Sequence, residues 1–377
     1  MRILITTGIF EPEVGGPATY APKLAAMLQT GGHKVTVLTF SEKSHYDSDK
    51  DYSFRLVRIV RGNKLLNRIR FFFVAFSYVR DCDLIYTLDW FAVGLPVALA
   101  AKLLGKPYVV RVGGDYLWEQ RYLESGQQAI PLADFYHSGI HRRSEYRTFY
   151  RLIRWVLSGA RHVVFNSNVQ RELYVDFYGL APARVSTIFN PVPTMQKSAA
   201  RVSNKEFVFW GRFIVMKNLD TLIRAFAQAK LEGYTLLLIG DGPRKEELAA
   251  LVHELHLEKR VSILPGMRRD DVLARVKGCR AFVLPSWTDI SPNQVVEALA
   301  IGLPALVTRE NYLSFRDQLP ETIDPRSVGD IAEKLAMLAD DERYQEFGKK
   351  FAAISYAHTW DAALREHTAL FERIVRV

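Results

Sequence analysis

The sequence predicts an α/β protein built from two doubly wound, Rossmann-like domains. Short apolar runs alternate with segments of helical period along the whole chain, as expected for parallel strands covered by helices on both faces. The alternation breaks at Asn190-Pro191-Val192-Pro193-Thr194 and the polar run that ends at Asn204, then restarts at Phe207. A length of 377 residues is enough for two separate cores.

In the first half the expected strands are 2–7, 34–39, 84–88, 108–112, 162–165 and 186–189. Helices are expected at 18–29, 93–104, 144–158 and 169–178, the last stopped by Gly179. The second half gives strands at 207–210, 235–239, 261–264, 281–284 and 305–307, with helices at 219–230, 244–255, 270–276 and 292–301. The expected boundaries are residues 1–193 for the first domain and 200–358 for the second. A closing helix at 359–377 is expected to return to the first.

Composition narrows the functional classes. Apolar and charged fractions of 49% and 24% are those of an ordinary globular protein, without a repeat or low-complexity tract. The N-terminus reads as a first strand and not as a leader, and the longest uncharged stretch, 90–101, is broken by Gly94 and Pro96. Cys82 and Cys279 stand far apart, with neither metal-ligand spacing nor a disulfide framework, which fits a reducing cytoplasm. Asp81-Cys82-Asp83 has the spelling of a metal-holding Asp-x-Asp, but it precedes a strand instead of ending one, so no metal is expected.

The net charge of +9 is uneven: residues 1–200 carry 25 Lys/Arg against 16 Asp/Glu, and the remainder 25 against 25. A polyanionic or membrane-surface partner is therefore expected for the first half only. Two stretches concentrate the charge. Between Tyr52 and Arg80 stand Arg55, Arg58, Arg61, Lys64, Arg68, Arg70 and Arg80 with no acid, interleaved with phenylalanines and aliphatics. From Phe135 to Arg171 seven more arginines accompany a single acid, Glu145. A basic, aromatic helix of this kind suits an anionic membrane interface. The alternative is that the phenylalanines are core and the arginines a solvated rim.

Candidate ligand residues cluster where strands hand over to helices. The densest cluster follows the strand at 281–284: Pro285-Ser286-Trp287-Thr288-Asp289-Ile290-Ser291-Pro292-Asn293-Gln294-Val295-Val296-Glu297. Ser291 is expected to cap the helix, Pro292 to open it and Gln294 to complete a capping box; Gly302 and Pro304 should close it. Free N–H groups at such a helix start suit a phosphate, and Asp289 and Glu297 are spaced to meet one ligand. The alternative is a loop-capping Asp289 and a solvated Glu297. After the strand at 207–210, Arg212 and Lys217 flank a turn and could reach a diphosphate. Gly240-Asp241-Gly242-Pro243 ends another strand beside a possible nucleotide. In the first half, Gly15 and Gly16 could bring backbone N–H groups to a phosphate or could form a plain turn. Asp115 closes the strand at 108–112, where open α/β sheets place ligands, or simply caps its loop.

These motifs resemble the donor-binding signature of family 4 retaining glycosyltransferases: Gly211-Arg212, Lys217-Asn218, Gly240-Asp241-Gly242, and the acids Asp289 and Glu297 with seven residues between them, followed by Ala-Leu-Ala-Ile-Gly-Leu-Pro. The first acid is usually Glu in the family, and a histidine often stands where Gly113 falls. The His358-Thr359-Trp360 segment resembles the family's closing crossover. The resemblance implies the GT-B arrangement, two domains facing a cleft, and a nucleotide-sugar donor, UDP- or GDP-linked, with no cofactor. It implies retaining, metal-independent transfer, with Arg212 and Lys217 on the leaving diphosphate, Asp289 on the donor sugar and Glu297 on the ribose. Gly15, Gly16, Gly240, Asp241, Ser291, Pro292 and Asn293 would complete the donor site, and Asp115 is the polar group nearest the missing histidine. Together with the basic stretches this leads to an expected saccharide acceptor carried on a lipid, in surface polysaccharide or glycolipid synthesis. The protein is then expected on the inner face of the membrane, with no nucleic-acid partner. An epimerase of the same architecture and a non-catalytic sugar-nucleotide-binding protein are the alternatives.

Overall fold

The computed structural model describes all of the chain except residues 14, 193–203 and 377, so most of the linker expected at 190–204 lies outside the described residues. The strands are β1 (Arg2–Thr7), β2 (Lys34–Ser41), β3 (Arg55–Val60), β4 (Leu84–Thr87), β5 (Tyr108–Val112), β6 (His162–Phe165), β7 (Val185–Thr187), β8 (Glu206–Trp210), β9 (Thr235–Ile239), β10 (Val261–Leu264), β11 (Ala281–Leu284), β12 (Ala305–Thr308) and β13 (Thr322–Ile323). Between them run α1 (Gly16–Thr30), α2 (Lys64–Asp81), α3 (Gly94–Leu103), α4 (Leu132–His137), α5 (Ser144–Gly159), α6 (Asn168–Tyr178), α7 (Leu219–Ala229), α8 (Lys245–Glu254), α9 (Arg269–Val276), α10 (Asn293–Ala300), α11 (Val328–Ala339), α12 (Asp341–Ala352) and α13 (Trp360–Val375).

The strands form two parallel sheets, ordered β3-β2-β1-β4-β5-β6-β7 and β10-β9-β8-β11-β12-β13. This is the GT-B class of α/β protein, two doubly wound Rossmann-like units. Each sheet is buried on both faces, which is why its strands read as unbroken apolar runs: Ala281, Phe282, Val283 and Leu284 of β11 are all fully buried. Each has one place where strand order reverses, between β1 and β4 and between β8 and β11. Ligands of open α/β sheets bind at the carboxyl ends of strands at such a point.

The chain divides into one compact unit of Met1–Leu117, Gly139–Asn190 and Trp360–Val377, and a second of Trp118–Ser138 and Pro191–Thr359. The sequence reading runs the first domain unbroken to 193, whereas Trp118–Ser138 groups with the second unit. There the Leu132 N–H donates to Thr288 Oγ1 at 2.9 Å, and Arg326 pairs with Asp134 at 2.6 Å.

In the first unit α13 is held by His367, whose Nδ1 donates to the Ala363 carbonyl at 2.6 Å. That leaves Nε2 as the acceptor for the Tyr86 hydroxyl at 2.8 Å, with the Tyr20 hydroxyl 3.2 Å from the same nitrogen. Ala363, Leu370, Phe371 and Ile374 complete the packing of α13 into the same core as β1 and β4.

The basic stretch from Tyr52 to Arg80 is not one amphipathic helix. Its first part is the edge strand β3, paired in parallel with β2. Arg58 there has a buried side chain that bonds Asp49 at 2.7 Å, Arg61 pairs with Glu13 at 2.7 Å, and the Arg55 guanidinium lies 5.2 Å from the Tyr78 ring. These three arginines serve the fold; Arg68, Arg70 and Arg80 are carried on α2. Phe71 is core, and Phe73 of the same helix is 67% exposed. Among the described residues no helix is long and apolar enough to cross a membrane.

Candidate active site

The site in the second unit is built from the turns that leave β8, β9 and β11. After β8 the chain turns at Gly211, whose N–H donates to the Ile239 carbonyl at 3.0 Å. The Phe213 N–H donates to the Asp241 carbonyl at 2.9 Å, and the Arg244 N–H to the Phe213 carbonyl at 3.1 Å. The two turns lie against each other backbone to backbone. A Cβ on Gly240 would overlap the Gly211 carbonyl oxygen, and one on Gly242 that of Phe213, so both positions require glycine. Asp241 accepts from Lys245 at 2.6 Å and from the Gly266 N–H at 2.6 Å, and these donors hold its carboxyl below the ordinary carboxylate range.

A short 3₁₀ turn, Val215–Lys217, follows. It ends at Asn218, which adopts a left-handed φ of 54° and bonds through Nδ2 to the carbonyls of Pro285 at 3.1 Å and Pro325 at 2.8 Å. The Trp287 N–H donates to the Met216 carbonyl at 3.0 Å. Thus the turn after β8 is fastened to the loop after β11, across the point where the strand order reverses.

That fastening brings Lys217 to Asp289. Their Nζ and Oδ2 are 2.5 Å apart, with each side chain 7% exposed, and Ser286 Oγ donates to the same Oδ2 at 2.8 Å. Asp289 does not belong to the helix. It forms a parallel bridge with Asn311, its N–H donating to the Glu310 carbonyl and its carbonyl accepting from the Tyr312 N–H, both at 3.0 Å. The Arg309-Glu310-Asn311-Tyr312 segment therefore backs Asp289.

The helix start differs from the sequence expectation. Pro292 is the cap residue, α10 begins at Asn293, and no side chain caps it. Ser291 has a left-handed φ of 53°, not the extended backbone an N-cap needs, because the chain must turn from the Asp289 bridge into the helix within two residues. Gln294 lies against Gly211 instead of closing a capping box. The helix end is as expected: Gly302 has φ 70°, and the N–H groups of Leu303 and Gly302 donate to Ala298 and Leu299. Lys230 and His256, the other non-glycine residues at positive φ among those described, sit at helix ends. Asn218 and Ser291 sit at the site, where backbone held in a sparsely populated region points to function.

Glu297, on α10, has a 14% exposed side chain with two partners: Arg269 Nε donates to Oε1 at 2.6 Å and Trp210 Nε1 to Oε2 at 3.2 Å. Neither partner was singled out from the sequence. Trp210 hides in the apolar run of β8, and Arg269 is one of two consecutive arginines opening an exposed helix; no local signal separates it from Arg268. Arg212 is exposed, and its side chain makes no ion pair or hydrogen bond among the described residues. The second unit thus gathers Arg212, Lys217, Gly240, Asp241, Asp289, Ser291, Pro292, Asn293 and Glu297 around the ends of three strands.

The remaining candidates lie in the first unit. Gly15 and Gly16 stand at the N-terminus of α1, with Gly15 as the cap residue. Asp115 is fully buried just beyond β5 and accepts from the Tyr174 hydroxyl at 2.9 Å, the geometry of a loop anchor. Asp83 is taken up by Arg2, through its backbone N–H at 2.8 Å and its guanidinium at 2.9 Å. Among the described residues no three His, Cys, Asp or Glu side chains cluster closely enough to hold a metal ion.

The chain that carries this site is similar to known proteins along nearly all of its length. Residues 14–196 match the glycosyltransferase family 4 description, and residues 193–353 match glycosyl transferases group 1. The chain belongs to the family 4 glycosyltransferases. It is 24% identical over 383 residues to a GDP-mannose-dependent alpha-(1-6)-phosphatidylinositol monomannoside mannosyltransferase of Mycobacterium tuberculosis, covering 92% of this chain and 91% of that one. A match to an exopolysaccharide phosphotransferase of Streptomyces coelicolor, 28% identical over 206 residues, spans 52% of this chain and only 22% of that protein. In fold it superposes on HepE of Anabaena, solved with UDP-glucose, with a TM-score of 0.76 at 18% identity over 99% of this chain and 100% of that one. This family 4 chain thus has relatives that act in glycolipid and polysaccharide synthesis.

Proposed function

We propose that this glycosyltransferase moves a sugar from a UDP- or GDP-linked donor to a lipid-linked saccharide, with retention of anomeric configuration and without a metal ion. The observation that carries the reading is the buried Lys217–Asp289 pair at the β8/β11 reversal, with unpaired Arg212 on the same turn. When the bond from the sugar's C1 to the diphosphate breaks, charge develops on the diphosphate oxygens. Lys217 has three donors and gives one to Asp289, so the others are available to that charge, and Arg212 can add its fork. The positive dipole end at the start of α10 acts in the same sense. Asp289, fixed by its bridge to Asn311, accepts from hydroxyls of the sugar; Glu297, fixed by Trp210 and Arg269, accepts from the ribose. The leaving phosphate takes the proton of the acceptor hydroxyl as the new C1–O bond forms, so no dedicated protein base is needed.

The lipid-linked acceptor is supported by the concentration of positive charge in residues 1–200, by exposed apolar side chains on α2 and α5, and by the lipid named in the Mycobacterium relative. The proposed place of action is the cytoplasmic face of a membrane.

Incubation with a panel of UDP-, GDP- and ADP-sugars, with and without a lipid-linked acceptor, tests the reading. Nucleotide release that rises with acceptor is expected. Conversion of donor into a different sugar nucleotide would make the protein an epimerase; binding without release would make it a sugar-nucleotide receptor. Excess EDTA is expected to leave the rate unchanged, and a complete loss restored by Mg²⁺ or Mn²⁺ would overturn the metal-independent mechanism.

A further inference from the structure

The large apolar side chains left exposed among the described residues are not scattered. Leu66, Ile69, Phe73, Leu99, Leu103 and Trp155 all lie on α2, α3 and α5 of the first unit, and Val375 alone lies elsewhere. Single exposed apolar residues are ordinary, whereas a contiguous set marks a surface that something covers. Here the three helices bound a groove of about 800 Å³, walled by Ile69, Phe72, Phe73, Leu99, Leu152 and Trp155.

Its walls also carry Arg68 and Arg151. The Arg68 guanidinium lies 4.0 Å from the Phe91 ring and within electrostatic reach of the Asp89 carboxylate, and Arg151 forms no ion pair among the described residues. Lys102 stands 3.9 Å from the ring of Trp155. Arg147 and Arg154 are on α5, whose one acid, Glu145, is in its first turn. An apolar trough with a positive lip fits an amphiphile whose head is anionic and whose tail is long. A second copy of this chain fits poorly, because a two-fold contact through the groove would set Arg68, Arg151 and Lys102 against their own equivalents. The groove is large enough for a tail: a methylene occupies about the volume of a water, roughly 30 Å³ in the liquid, so about 800 Å³ admits a dodecyl chain.

The geometry points to a binding site for one aliphatic chain of a phosphate-bearing lipid, the tail in the groove between α2, α3 and α5 and the phosphate on Arg68 and Arg151. This deepens the proposed function and rests on it only for the lipid's role as acceptor; the groove binds the chain whether or not transfer follows.

Octyl, decyl and dodecyl phosphate, each below its micelle concentration, provide the test by calorimetry on the full chain. Kd is expected to fall about two- to fourfold per added methylene, the fold-change that burying a methylene gives. Leu99→Glu and Phe73→Glu, both at exposed positions, should abolish the chain-length dependence, while Arg151→Glu should weaken the alkyl phosphates and leave dodecyl maltoside unaffected. UDP or GDP binding to the second unit should be unchanged in all three, which also shows them folded. Affinity independent of chain length, or indifferent to Leu99→Glu, overturns the site. So does binding to anionic vesicles without binding to monomeric alkyl phosphates, which would make the face a broad membrane contact, and so does a dimer that Phe73→Glu dissociates. Chain-dependent binding with no transfer to any lipid-linked acceptor would uphold the groove and remove the lipid acceptor from the proposed function.

Discussion

Lys217 and Asp289 are paired in a nearly dry place, so neither can be altered without disturbing the other. Removing one member of a buried pair costs about 3–5 kcal/mol because the partner is left charged and alone. Asp289→Ala is therefore expected to lose transfer activity and thermal stability together. In the double variant Lys217→Met/Asp289→Ala stability should return and activity should not, and a melting curve beside a transfer assay separates the two effects. Glu297→Ala is expected to lose about ten- to a hundredfold in kcat/KM with little change in melting temperature, since its partners are the half-exposed Arg269 and a neutral indole. Arg269→Ala should raise the donor KM several-fold and leave kcat nearly intact, because Arg269 only positions Glu297. An unchanged KM would mean that Trp210 alone orients the carboxylate. That Arg212, Lys217, Asp289 and Glu297 follow strands was legible in the sequence, from the alternation of apolar runs with turns and from the resemblance to the family's motifs. Their mutual arrangement was not: nothing in the spacing says that Lys217 spends a hydrogen bond on Asp289, or that Glu297 is already held by two donors.

At the scale of elements, the turn after β8 and the turn after β9 are one device. Gly240→Ala would press a methyl group into the Gly211 carbonyl, and backbone cannot yield as a side chain tip can. A loss of about 1–3 kcal/mol in unfolding free energy is expected, readable by urea titration, with weakened nucleotide binding because the Arg212 turn shifts. In the first sheet, burial together with the charges of Arg373 and Arg184 pushes the pKa of His162 down to about 4. The folded protein thus binds fewer protons there than the unfolded chain between the ordinary histidine pKa of about 6.5 and 4. Stability from this group is complete above about 6.5 and is lost as pH falls toward 4, so His162→Gln should flatten the acid limb of a Tm-against-pH curve. Most of these strands could be seen beforehand because both faces of a parallel sheet are buried and the runs are unbroken. β3 could not, since an edge strand that places Arg55, Arg58 and Arg61 among apolar residues reads like the start of the basic helix beside it. The start of α10 was misread for another reason: a Ser-Pro pair imitates a cap, and only the bridge of Asp289 to Asn311 shows that the chain arrives from the wrong direction.

For the whole molecule, the two-unit organisation was visible in the restarted alternation, but the path of the chain between the units was not. It passes from one to the other at 117/118, 138/139, 190/191 and 359/360. Trp118–Ser138 is too short to announce its allegiance, and its Leu132, Phe135 and Tyr136 would look equally at home in either core. This has a bearing on how such proteins can be recombined. A chimera that joins the first half of this chain to the second half of a relative at the proline-rich junction carries Trp118–Ser138 away from the partner it grew up with, and sets Leu132 and Asp134 against a foreign Thr288 and Arg326. Donor specificity is expected to transplant cleanly only when 118–138 travels with 191–359 as a two-piece graft, and soluble yield of the one-piece and two-piece hybrids compares them directly. The unit of inheritance for the second unit is then a pair of segments separated in the gene, and a single crossover between related genes tends to leave a mismatched fragment behind.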